Sequence, residues 1–150
     1  MHTRLPLAAL ALMLCAAPGL AQPGSPNATP TTVTRVVLIH IKPGHADMFW
    51  QDFRQHGKPV FDEEQRQGIL ANYTVGTKST ADSPDDWNVV LTYTYPNWAS
   101  LDNLASRVDP ITLAHYGSAA ARTTAGLARV EHSTTVASFL VRNQTVNSWK

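Results

Sequence analysis

Residues 33–41, VTRVVLIHI, are rich in Val and Ile and follow the two-residue period of a β-strand. Pro43 and Gly44 suit the two central positions of a type II turn, where proline fixes φ and glycine supplies a positive φ. The period then lengthens: Ala46, Phe49 and Phe53 recur at helical spacing, with Asp47 in the first turn where the helix dipole favours an anion. Gly57 and Pro59 within HGKP predict a break, followed by a shorter helix over 59–67 that ends at Gly68. ILANYTVGT (69–77) reads as a second strand, and the polar stretch 78–86 as a loop. WNVVLTYTY (87–95) reads as a third strand, with Trp87, Val89, Leu91, Tyr93 and Tyr95 on one face. Asn97 caps a helix whose stripe is Trp98, Leu101, Leu104, Ala105 and Val108. Asp109 and Pro110 repeat the cap-then-proline signal and predict a further helical stretch, broken near Gly117 and Gly126. TTVASFLVRN (134–143) is the fourth strand.

The order strand, helix, strand, strand, helix in two pieces, strand is the βαββαβ plan of a ferredoxin-like α+β sandwich with interrupted helices. IHIKPGHADMFWQDF (39–53) resembles the first strand, Pro-Gly turn and first helix of the dimeric α/β-barrel superfamily, which includes antibiotic-biosynthesis monooxygenase-like proteins. DDWNVVLTYTYPNWASLDNL (85–104) is similar to the aromatic third strand and capped helix of the same superfamily. The resemblance covers residues 33–143. It implies helices on one sheet face and the sheet of a second subunit on the other, hence a homodimer. It also implies a cavity between sheet and helices for small, often aromatic or polyketide-like molecules. The first strand supports two-sided cover independently. Val37, Ile39 and Ile41 make one face and Val36, Leu38 and His40 the other, both largely apolar, whereas a sheet with one wet face alternates cleanly.

The N-terminus changes the domain count and the charge. Arg4, an apolar run over 5–17, and Gly19 and Ala21 before Gln22 have the layout of a secretory signal peptide (1–21) cleaved after Ala21, too short in its apolar run for a membrane span. Leu14 before Cys15 argues against a lipid-modified cysteine. Residues 22–32, QPGSPNATPTT, read as a disordered leader, leaving a single domain over 33–150. Loss of Arg4 reduces twelve basic residues to eleven, equal to the eleven acidic ones. A neutral mature chain gives nucleic acid or anionic membrane no electrostatic motive to bind. The one cysteine leaves with the leader, so neither a disulfide nor a thiol nucleophile remains. The expected location is periplasmic or secreted.

His40 is the first chemical candidate. As a pocket base its ordinary pKa near neutrality is useful, and as a structural residue it needs a hydrogen-bond partner. Tyr73, Trp87, Tyr93 and Tyr95 suit a small-molecule cavity and suit a sheet core or interface equally. His115, with Tyr116 beside it, is a candidate pocket neighbour. His45, Asp47, Asp52 and His56 lie along the first helix, with Asp52 and His56 four residues apart on one face, but a metal needs three or four converging ligands and the spacing predicts none. The superfamily's haem-degrading members use a strand-1 asparagine, a strand-3 tryptophan and a helix-2 histidine. Strand 1 here has no asparagine and only Trp87 and His115 approximate the others, so no cofactor is expected. No nucleophile elbow or phosphate-binding glycine loop occurs. Three functions stay open: binding of a small apolar or aromatic ligand, a cofactor-independent monooxygenase or isomerase using His40 on a phenolic substrate, and a structural or interaction role without a pocket.

Overall fold

The computed structural model of the chain describes residues 27–80 and 83–148. Strands β1 (Ala28–Ile41), β2 (Asn72–Thr77), β3 (Val89–Tyr95) and β4 (Ser133–Val146) form one antiparallel sheet in the order β2-β3-β1-β4. Helices α1 (Ala46–Asp52), α2 (Lys58–Arg66), α3 (Leu104–Tyr116) and α4 (Ala119–His132) supply the two crossovers. This is the βαββαβ order and strand arrangement of a ferredoxin-like α+β fold. The signal segment 1–21 and the first residues of the leader lie outside the described residues.

The strands are longer than their apolar pattern. β1 starts at Ala28, so 28–32 belong to the sheet rather than to a disordered leader. The reason is a partner: Ala28, Thr29 and Pro30 pair with Val146, Thr145 and Gln144 of β4, and a ladder needs backbone groups, not apolar side chains. β2 and β3 are instead shorter at their starts. Ile69 and Leu70 are buried ahead of β2, held by amide bonds to the Glu64 carbonyl where Gly68 turns the chain at φ +70°. Trp87 precedes β3, and Lys78 Nζ lies over its ring at 4.9 Å.

Pro59 stands in the first turn of a helix as expected, but the break before it and the role of Pro110 differ. Between α1 and α2 the backbone stays helical through a π turn, Phe53–Gly57, in which the Lys58 amide bonds the Phe53 carbonyl five residues back. Pro59 has no N–H for an ordinary helical bond, and sits in the first turn after this wider one. The second crossover begins with a 3₁₀ turn, Trp98–Leu101, capped by the Asn97 side chain on the Ser100 amide at 3.0 Å. Pro110 then lies inside α3 instead of starting a new helix. Arg122 Nη1 of α4 bonds Asp109 Oδ1 at 2.9 Å and Thr112 Oγ1 at 3.0 Å, tying α3 down on both sides of the proline. The chain breaks at Gly117, at φ +73°, and runs on through Gly126.

Core packing lies between sheet and helices. Phe49 of α1 packs with Ile41 and Val89, while Val60 of α2 packs with Ile69 and Ile111. Each fully buried side chain of this size stabilises the fold by about 1.5–3 kcal/mol. Among the described residues the opposite sheet face carries no helix. Cross-strand register puts Val36, Leu38, Val90, Ala137, Phe139 and Val141 on it, with threonine contacts Thr34–Thr94 at 3.0 Å and Thr74–Thr92 at 2.7 Å. Among the described residues no helix is long and apolar enough to cross a membrane.

Candidate functional site

A cavity of about 530 Å³ lies between the sheet and the helices. Val37 and Ile39 of β1 and Leu91 and Tyr93 of β3 form its floor, because alternate residues of a strand share a face. Phe49, Phe53 and Phe61 form an aromatic wall, with Phe53 stacked on Phe49 at 6.4 Å and tilted against Phe61 at 6.1 Å. The π turn contributes to this wall directly. A Cβ on Gly57 would stand 3.0 Å from Phe53 Cδ2, so a larger residue there would have to push the Phe53 ring aside by a few tenths of an ångström.

The other end of the cavity is polar. Asp52 and His56 come from α1 and the π turn, Tyr116 from α3, and Arg122, Arg129 and His132 from α4. Arg129 Nε donates to Asp52 Oδ2 at 2.7 Å, and Arg129 Nη2 donates to the Tyr116 hydroxyl. Burial opposes the guanidinium charge, but the bonds to Asp52 and Tyr116 more than offset it and raise the pKa above its ordinary value. The His56 ring stacks on Tyr116 at 5.1 Å, and its Nδ1 shares a hydrogen bond of 2.9 Å with His115 Nε2. His132 is only 4% exposed and packs edge-on against Phe49 at 5.9 Å. Its Nδ1 has no partner among the described residues, and burial lowers its pKa and keeps the ring neutral. Tyr93 is also held protonated, its pKa raised by burial.

A second buried acid, Glu64 of α2, lies outside the cavity lining and is 6% exposed. Burial pushes its carboxyl up to about 7. Its charge is felt at Tyr93 and Tyr95 on the facing strand.

The sequence candidates divide between the two sides of the sheet. Tyr93 lines the cavity, and His115 reaches it through His56. Tyr73 packs on Phe61 at 5.4 Å behind the wall and donates its hydroxyl to Asp62 at 2.6 Å. Tyr95 is buried in the sheet and Trp87 lies in the β2–β3 connection, neither of them in the cavity lining. His40 projects from the helix-free face. Its Nδ1 donates to the Asp86 carbonyl at 2.7 Å, since a carbonyl can only accept, and the ring thereby fastens β1 to the β2–β3 connection. The sequence pairs Asp52 with His56 at helical spacing but not with Arg129 or Tyr116, which come from the second crossover. Among the described residues no three or more His, Cys, Asp or Glu side chains converge as metal ligands.

No protein-family model and no curated protein matches the chain. Among solved structures, HapK from Hahella chejuensis superposes with a TM-score of 0.51 at 12% identity, over 79% of this chain and 98% of HapK. A dimeric ferredoxin-like protein from an uncultured marine organism matches with a TM-score of 0.47 at 15% identity, over 81% of this chain and 100% of its own. A dimeric protein of unknown function and ferredoxin-like fold from Bacteroides fragilis gives 0.45 at 12% identity, over 75% and 96%. At such identities the likeness is one of fold, and with the observed topology it identifies the chain as an α+β protein of the ferredoxin-like fold.

Proposed function

We propose that this chain is an exported, homodimeric small-molecule-binding protein whose site is the cavity between sheet and helices. Its ligand has a flat apolar body and an acidic head, such as a phenol or an aromatic carboxylate. The observation that carries this is Arg129 at the polar end of a cavity whose other end is walled by Phe49, Phe53 and Phe61. Arg122 is paired with Asp109 and Arg129 with Asp52, so the polar end is balanced in charge, and what it offers an acidic head is the hydrogen-bonding capacity of Arg129, Tyr116 and His56. A volume of about 530 Å³ falls within the range of small-ligand sites.

The homodimer follows from the helix-free sheet face. Phe139 is 48% and Val141 39% exposed there, and no Asp, Glu, Lys or Arg falls on that face in the cross-strand register. A second copy offers a face of the same kind, apolar and without like-charge repulsion. Export rests on the leader pattern of residues 1–21.

A catalytic version of the same site, a cofactor-independent oxygenase or isomerase beginning with proton removal from the ligand head, is favoured by the neutral His132 and by His56 at the cavity's polar end. Native mass spectrometry of the mature protein recovered from the periplasm tests the binding reading. A dimer carrying a bound acidic aromatic mass supports it. A ligand-free monomer overturns it and leaves a structural or interaction role.

A further inference from the structure

His56 and His115 are bonded to each other, yet they border different spaces. His56 lines the cavity, stacked on Tyr116. His115 lines a separate groove of about 430 Å³ between α2 and α3, beside Pro110 and Ile111. Their hydrogen bond, His56 Nδ1 to His115 Nε2 at 2.9 Å, therefore crosses the wall between cavity and groove. It is placed by the π turn, which holds His56 against α3.

We infer that the two histidines form a proton path from the cavity to the outer groove, serving to ionise an acidic ligand. The inference rests on the cavity being the ligand site. With Nδ1 engaged, His56 has Nε2 available to take the proton of a phenol. As that proton arrives, the Nδ1 proton of His56 moves to His115 Nε2, and His115 releases its own Nδ1 proton into the groove. The phenol has become a phenolate, one proton has left, and both imidazoles are neutral again with exchanged tautomers. The same hydrogen bond persists with its polarity reversed, and nothing is oxidised or reduced. Charged and titratable groups around the path are Asp52 of α1, Tyr93 of β3, Tyr116 of α3 and Arg122, Arg129 and His132 of α4 on the cavity side, and Glu63 of α2 and Arg107 of α3 in the groove. Arg129 faces the side where the phenolate would remain.

The test uses 4-nitrophenol, whose anion is coloured, with the full-length mature protein at a pH below the phenol's own pKa. Two quantities are read per bound molecule: the phenolate absorbance, and the protons released to buffer, from calorimetry in buffers of different ionisation enthalpy. The wild type is expected to bind the phenolate and to release close to one proton. His115→Gln is expected to bind the phenolate with release falling toward zero, because His56 keeps the proton. His56→Gln is expected to bind the neutral phenol without release. Binding by the wild type without proton release overturns the path and leaves the cavity reading standing. No binding by the wild type overturns both. Equal release by wild type and His115→Gln also overturns the path. If one variant does not fold, the wild-type arm alone still overturns the path when binding occurs without proton release.

Discussion

Arg129 and Asp52 lie 77 positions apart in the chain, and in the fold the guanidinium Nε meets the carboxylate at 2.7 Å. The side chains are 37% and 23% exposed, between a surface pair and a buried one. Replacing Arg129 by Met should therefore destabilise the protein by about 1–2 kcal/mol, between the values for exposed and buried pairs. It should also weaken 4-nitrophenol binding by roughly tenfold or more, the loss expected from a charge-assisted hydrogen bond. Urea unfolding and an absorbance titration check the two effects. Unchanged affinity would show that Arg129 braces the helices and does not receive the ligand.

Glu64 makes stability depend on pH. Its folded pKa of about 7 lies above its ordinary 4.5, so the folded state binds more protons between these values. Stability is then greatest below pH 4.5 as far as this group is concerned, declines as pH rises through the window, and levels off above 7. Glu64→Gln should remove that decline and make the protein more stable at pH 8 by about 3 kcal/mol. Parallel slopes for wild type and variant in unfolding measured from pH 5 to 8 would refute this.

Phe139 separates the dimer from the cavity. Phe139→Glu puts a carboxylate on the helix-free face, far from the ligand wall, and should yield a folded monomer by light scattering at micromolar concentration. A dimer unaffected by this change would mean that another surface holds the subunits together.

His40 belongs to the fold rather than to the cavity. His40→Phe removes its bond to the Asp86 carbonyl and should cost about 1 kcal/mol, with 4-nitrophenol affinity unchanged. A loss of affinity greater than the loss of stability would return His40 to the site.

The strands and their order were legible because β1 and β3 carry the two-residue period in β-branched and aromatic side chains, which local geometry dictates. His40 was legible as a polar residue on a strand face, but the choice between faces was not, since both faces of β1 are apolar. The polar end of the cavity was largely hidden. Asp52 and His56 share a helical face in sequence, yet Arg129, Tyr116 and His132 join them only through the packing of α3 and α4 on α1. Pro59 was placed correctly in a first helical turn, but the continuity before it and the role of Pro110 were hidden for a related reason. Pro59 is accommodated by a π turn and Pro110 by cross-helix bonds from Arg122, and neither is visible to a rule that considers one helix alone.

The pairing of Ala28 with Val146 has a topological consequence. Just beyond it the Asn147 amide bonds the Asn27 carbonyl at 2.8 Å, so the two ends of the described fold meet at one corner. That corner is some nine strand residues from Val37, roughly 30 Å at the usual rise, and so lies at the far end of the sheet from the cavity. Joining Asn27 directly to Asn147 by a short linker would close the described fold into a continuous loop, and new termini opened in the β2–β3 connection would give a circular permutant whose cavity lining is uncut.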